Sequence, residues 1–217
     1  MADDRSKQGK PLPWEPLPDE PSLQITWPTP NQALMTDPDS FFARTRVNPD
    51  YGKPGWSRDC GNKLHQGCDI APVRKTKMGK TTTVQFTLCE TGEEFTSEEE
   101  TWIPHDPVFA VVDGTVVEAV ADPAISTFGN HVVIGHRFPD SNQLFYTLYA
   151  HLEDVLVTGD QSVCKGQKIG TMGKTSSSAD AVNWMEIAPH LHLEVWNTRQ
   201  QPYDPVAFLQ SYVSQSL

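Results

Sequence analysis

The run His190-Leu191-His192-Leu193-Glu194-Val195 alternates polar and apolar side chains without a break. Alternation of this kind marks a strand with one buried face, because successive strand side chains point to opposite sides. His190, His192 and Glu194 then share one face, and Leu191, Leu193 and Val195 share the other. Two imidazoles two residues apart on a strand can serve one point in space, one binding a metal while the other acts on a substrate beside it. A second pair of potential ligands lies far upstream, in His65-Gln66-Gly67-Cys68-Asp69. The spacing of His65 and Asp69 would suit a helix face. Gly67 and the following Ile70-Ala71-Pro72 argue against a helix, so an extended or looped segment has to converge the two side chains.

The chain around these motifs reads as mostly β. Val108 to Val120 holds Asp113-Gly114 between β-branched runs, which predicts a tight hairpin. His131 to His136 predicts a short strand, Phe138 to Asn142 a turn, and Leu144 to His151 a returning strand. Asp204-Pro205 predicts a helix over 205–212, with Asp204 as N-cap and proline at the first helical position. Residues 1–60 read as a proline-rich N-terminal extension, whose first thirty residues are long enough to cross a groove and hold it latent. Residues 61–213 read as the globular domain. Within it, Arg74 to Lys80 carries four basic residues, and Glu90 to Asp106 carries seven acidic ones with no Lys or Arg. This predicts an inserted β-hairpin arm at about 74–107, and the arm is close enough to a ligand to form one wall of a groove.

A formal charge of −11 excludes a nucleic-acid partner, which would need Lys/Arg clusters. No apolar run approaches the ~18 residues of a transmembrane helix. Four cysteines allow two disulfides in three connectivities, and none forms a C-x-x-C pair. Cys68 has three readings: a competing thiolate ligand, a partner for Cys60, or a small apolar packing residue. Glu194 has two: a carboxylate orienting an imidazole, or a partner for a surface cation. His131 and His136 read as structural. The N-terminus is polar, with no apolar leader visible.

The motifs, in order, resemble the lysostaphin-type (LytM-like) zinc metalloendopeptidases of bacterial cell walls. The resemblance rests on His65-Gln66-Gly67-Cys68-Asp69-Ile70, Val112-Asp113-Gly114-Thr115-Val116-Val117 and Gly129-Asn130-His131-Val132-Val133-Ile134. It continues through Tyr149-Ala150-His151-Leu152, Val163-Cys164-Lys165-Gly166-Gln167-Lys168-Ile169-Gly170, the 190–195 strand and Asp204-Pro205. It covers roughly residues 65–209 apart from the insert. The loop from Gly173 to His190, with Trp184 and Met185, is longer than is usual in the family.

The resemblance implies a compact antiparallel β-sheet domain with an open groove. It implies Zn²⁺ on His65, Asp69 and His192, with His151 and His190 unligated beside it as catalytic residues. The activity implied is hydrolysis of peptide bonds in peptidoglycan stems or cross-bridges by attack of zinc-bound water. No H-E-x-x-H is present, so the two unligated imidazoles take on proton transfer or oxyanion stabilisation, or both. The expected partner is peptidoglycan peptide, the expected state a monomer, and the expected location the periplasm or the extracellular envelope. The rival reading is a non-catalytic relative that binds the cell wall or regulates another hydrolase.

Overall fold

The structure, a computed structural model, describes residues 10–44, 48, 50–88, 91–177 and 189–213, with the backbone alone at 80, 82, 84–87, 99 and 100. A single helical turn, α1 (Pro38–Phe41), precedes β1 (Gly55–Arg58), β2 (Lys63–His65) and β3 (Cys68–Ile70). The long strands β4 (Lys75–Thr87) and β5 (Glu94–Pro104) follow, then β6 (Pro107–Phe109), β7 (Gly114–Val120), β8 (Asn130–Arg137) and β9 (Leu144–Val155). The chain continues through β10 (Ser162–Val163), β11 (Lys168–Met172), β12 (Leu191–Asn197) and β13 (Pro202–Tyr203) to a terminal helix, α2 (Pro205–Tyr212). The helix lies where the Asp204-Pro205 signal predicts it. Asp204 Oδ1 accepts the backbone N–H of Val206 at 2.8 Å and that of Ala207 at 3.3 Å, satisfying donors that have no partner within the helix.

All named strand pairs are antiparallel. The main sheet runs β10-β7-β8-β9-β11-β6, and β12 branches from β9 to carry β3 and β13. Strand β9 organises it. Its first part pairs with β12, from Phe145↔Asn197 to Ala150↔His192, and its last part pairs with β11, from Leu152↔Met172 to Val155↔Gly170. His151 stands at the exchange, with a left-handed φ of 62°. That conformation is uncommon for a residue with a Cβ, and here it turns the strand from one partner to the other.

The expected hairpin at Asp113-Gly114 is not found. Strand β6 pairs with β11, whereas β7 pairs with β8 and β10. The buried Ala110 and Val111 carry the chain between them. Asp113 serves other partners: its Oδ1 accepts the Lys165 N–H at 2.6 Å and its carbonyl accepts the His136 ring at 2.9 Å.

Residues 10–32 run as irregular chain packed on the domain, and residues 33–41 add two short helical turns. Leu23, Ile25, Leu34, Phe41 and Phe42 enter the same core as Tyr149, Leu152, Leu193 and Phe208. Burying such side chains contributes about 1.5–3 kcal/mol each, enough to hold a proline-rich segment that has few backbone donors. Hydrogen bonds register it: Ile25 to Tyr212, Thr26 to Val111 and Glu15 to Pro202. Glu15 and Ile25 lie against β13 and the end of α2, whereas Lys10 and Pro11 bond to Gly61 and Trp56 of the β1–β2 ribbon and Ala43 bonds to the Asp69 carbonyl of β3. Strands β4 and β5 pair only with each other, from Lys75↔Pro104 to Thr87↔Glu94.

Candidate metal centre and groove

Strands β2 and β3 are separated by Gln66-Gly67 alone, and β3 pairs with β12 so that Asp69 stands opposite His192. His65, at the end of β2, closes onto the same point. His192 Nδ1 is 2.9 Å from Asp69 Oδ1 and 3.1 Å from His65 Nε2, and His65 Nε2 is 3.2 Å from Asp69 Oδ1. The three residues predicted as ligands are thus brought together, and all are buried. Gly67 makes this approach possible. A Cβ there would lie 2.5 Å from His192 Cε1 and 2.7 Å from the Leu193 carbonyl oxygen.

Each ligand candidate is oriented by a further contact. His65 Nδ1 donates to the Lys53 carbonyl at 2.9 Å. His192 Nε2 donates to Glu194 Oε1 at 2.8 Å, and the other Glu194 oxygen accepts the Trp196 indole N–H at 2.7 Å. Asp69 Oδ2 accepts from Arg58 Nη2, which is also 3.2 Å from His65 Nε2. Of the two readings of Glu194, the structure has the carboxylate against an imidazole.

The buried charges compensate one another. Burial alone would raise the Asp69 carboxyl, but His190, His65 and Arg58, with the His192 hydrogen bond, hold it well below the usual carboxylate range. Burial pushes His65 down. Burial also opposes the charge on His192, but Asp69 and Glu194 outweigh it and push His192 up to about 9. Burial, then the neighbouring His190 and His192, keep His151 well below an ordinary histidine.

The two remaining predicted site residues flank this centre. The His151 ring is 5.1 Å from that of His190 and 5.7 Å from that of His192, centroid to centroid. His151 Nδ1 donates to the Thr175 carbonyl at 2.8 Å, which leaves the lone pair on Nε2. His190 Nε2 is 3.6 Å from Asp69 Oδ2. His131 and His136 lie apart: His131 Nδ1 bonds the Gly129 carbonyl, and His136 bridges the Asp113 carbonyl and Thr147 Oγ1.

A groove of about 540 Å³ opens onto the centre, lined by His65, His151, His192 and Glu194 with Tyr51, Arg58, Lys63, Thr127, Phe128 and Ser176 among its walls. No described residue of the β4–β5 arm lines it, contrary to the expected wall. Residues from 51 to 66 supply that side instead. The Gly173–His190 loop, with Trp184 and Met185, falls mostly outside the described residues. Tyr51 and Arg58 were not legible as site residues: Arg58 Cζ stacks 3.4 Å over the Tyr51 ring, a contact no short motif encodes. Cys60 is disulfide-bonded, whereas Cys68 is a free, buried thiol whose ionisation burial pushes well up. Of its three readings, packing is the one it adopts.

The donor set suits a divalent ion such as zinc. Among the described residues, His65, Asp69 and His192 are the one group of three or more whose ligand atoms converge, all within 4.8 Å of one another. The 2.9–3.2 Å separations approach the roughly 3.3–3.6 Å between ligands of a tetrahedral ion at ~2.0–2.2 Å. Two imidazoles and one carboxylate are borderline-to-hard donors of the kind zinc takes, with His192 releasing a proton as the metal binds. On each residue the other polar atom has its own partner, the pattern found around bound metals.

The model of peptidase family M23 matches residues 91–205. The chain belongs to peptidase family M23. The M23 match includes β5, His151, His190 and His192, and His65 and Asp69 precede it, before β4. Peptidoglycan DD-endopeptidase ShyB of Vibrio cholerae is 36% identical over 98 residues, 45% of this chain and 19% of that protein. Lipoprotein NlpD of Yersinia enterocolitica is 37% identical over 73 residues, 34% of this chain and 68% of that protein. Murein hydrolase activator NlpD of Escherichia coli is 36% identical over 77 residues, 36% of this chain and 18% of that protein. The match to this M23 chain therefore spans less than a fifth of the full length of ShyB and of the E. coli protein. Among solved structures, the catalytic domain of the antimicrobial peptidase lysostaphin from Staphylococcus simulans superposes with a TM-score of 0.44. Its sequence is 23% identical, over 74% of this chain and 90% of that one.

Proposed function

We propose that this chain is a zinc-dependent endopeptidase that hydrolyses peptide bonds in peptidoglycan stems or cross-bridges within the cell envelope. One observation carries the proposal: three convergent donor atoms, 2.9–3.2 Å apart, at the base of an open groove with two further imidazoles. Membership of M23 and similarity to a protein named a peptidoglycan DD-endopeptidase support the substrate class.

His65 Nε2, Asp69 Oδ1 and His192 Nδ1 would hold the ion. When bound, zinc would supply Lewis-acid polarisation of a scissile carbonyl and would acidify water. Glu194 and the Lys53 carbonyl fix the two ligand imidazoles in the tautomers that leave those nitrogens free to bind. His151 is the proton acceptor: burial keeps it neutral, Thr175 takes its Nδ1–H, and Nε2 is the basic atom. His190, beside Asp69, supplies the second imidazole that stabilises developing negative charge. Phe128 lies tilted beside His192, 5.7 Å between ring centroids, as an apolar wall of the groove.

The test is digestion of purified peptidoglycan with and without chelator, followed by mass analysis of released fragments. The proposal expects new amine and carboxyl termini that disappear with chelation. Similarity to proteins named murein hydrolase activators favours a second reading, a non-catalytic regulator. Intact peptidoglycan, with a folded protein that binds no zinc, would replace the first reading by the second.

A further inference from the structure

We infer that Arg58 is a positioning residue for Asp69, restricting that carboxylate to one oxygen at the metal centre. The inference rests on the zinc site proposed above and extends it to a residue outside the M23-matched segment. Asp69 is fully buried, and Arg58 is only 8% exposed. A carboxylate offers two oxygens and can bind a cation through either or both. Here Arg58 Nη2 takes Oδ2, and Oδ1 is the oxygen that faces His65 Nε2 and His192 Nδ1.

The guanidinium is itself held. Its face lies 3.4 Å over the Tyr51 ring, a stack that suits the planar, delocalised guanidinium and not an ammonium. Strand β1 carries Arg58 and pairs with β2, which carries His65, in the register Gly55↔His65 and Arg58↔Lys63. One ribbon thus delivers a ligand and the side chain that orients another. Its tip is a turn of three left-handed residues, Asp59, Cys60 and Gly61, at φ of 45°, 54° and 83°. Cys60 is disulfide-bonded, and Lys10 Nζ donates to the Gly61 carbonyl at 3.0 Å from outside. The turn beside Arg58 is therefore tied down, and the reach of Arg58 to Asp69 is set by the backbone.

The test compares wild type with Arg58→Met, which keeps the stem and loses the donors, and Arg58→Lys, which keeps the charge and loses the fork. Zinc affinity is read by competition with a chromophoric chelator, and the visible spectrum of the cobalt(II)-loaded protein reads coordination number. Arg58→Met should bind zinc about 10–100-fold more weakly. Its cobalt absorption should weaken as the freed Asp69 oxygen raises the coordination number. Arg58→Lys should fall between. Affinity within twofold of wild type, or tighter, with an unchanged cobalt spectrum in Arg58→Met would overturn the inference while leaving the zinc site standing. Failure of the wild type to bind zinc would remove the site itself and the inference with it. If circular dichroism finds Arg58→Met unfolded, Arg58→Lys and Tyr51→Leu, which removes the stacking platform, decide by the same two readings. Wild-type values in both would overturn it.

Discussion

Glu194 Oε1 lies 2.8 Å from His192 Nε2, two residues away on the same face of one strand. A carboxylate in that position fixes the tautomer of the imidazole and its rotation. The second Glu194 oxygen is held by Trp196 at 2.7 Å, so the carboxylate cannot swing away. Glu194→Ala should weaken zinc binding by about 10–100-fold with the fold retained. Chelator competition on the purified variant checks this, and wild-type affinity would mean that Glu194 orients nothing.

Gly67 should be intolerant of even one methyl group. A Cβ would meet His192 Cε1 at 2.5 Å and the Leu193 backbone oxygen at 2.7 Å, and the backbone atom has nowhere to go. Overpacking of this kind costs typically 1–3 kcal/mol. Gly67→Ala should lose that much in urea denaturation and should also displace His192, reducing bound zinc. A variant as stable and as metal-loaded as wild type would refute the close approach.

His151→Ala should separate chemistry from metal binding. His151 is beside the centre without being one of its three converging donors. Loss of a general base costs roughly 10²–10⁴-fold in rate. The variant should keep its zinc and lose hydrolysis by that factor, whereas His192→Ala should lose both. Retention of activity in His151→Ala would transfer the proton-accepting role to His190.

His136 predicts a pH dependence of stability that is independent of the metal centre. Burial lowers its pKa to about 4, opposed only in part by the Asp113 carbonyl and charge, whereas an unfolded histidine titrates near 6.5. The neutral folded form is therefore favoured, and its contribution is complete above about pH 6.5. It is lost as pH falls toward 4, at about 1.4 kcal/mol per pH unit, or roughly 2 kcal/mol by pH 5. His136→Gln should lose correspondingly less stability between pH 7 and pH 5 in matched urea titrations. Parallel losses in the two proteins would contradict the assignment.

Local signals were legible where one side chain acts through its immediate neighbours. The 190–195 alternation prescribes β12, and Asp204-Pro205 prescribes the start of α2, because each depends on a few adjacent residues. His65 and Asp69 stood out through the order of motifs shared with a known family, because a His and an Asp four residues apart are a weak signal alone. Arg58 and Tyr51 did not: a guanidinium stacked on a ring and bonded to a carboxylate eleven residues on leaves no periodic trace. The left-handed His151 was equally hidden, because it follows from an exchange of sheet partners at Ala150 and Leu152. Proline content obscured the contribution of Leu23, Ile25, Phe41 and Phe42 to the core. Asp113-Gly114 misled because a turn dipeptide reports local geometry, not which strands pair.

The most direct measurement is a zinc titration of chelated protein, with bound metal and the rate of peptidoglycan hydrolysis followed in the same samples. The rate should rise in proportion to bound zinc and level off at one ion per chain, with no such rise in Asp69→Ala. Hydrolysis that does not depend on bound zinc, or a chain that takes up none, would contradict the account.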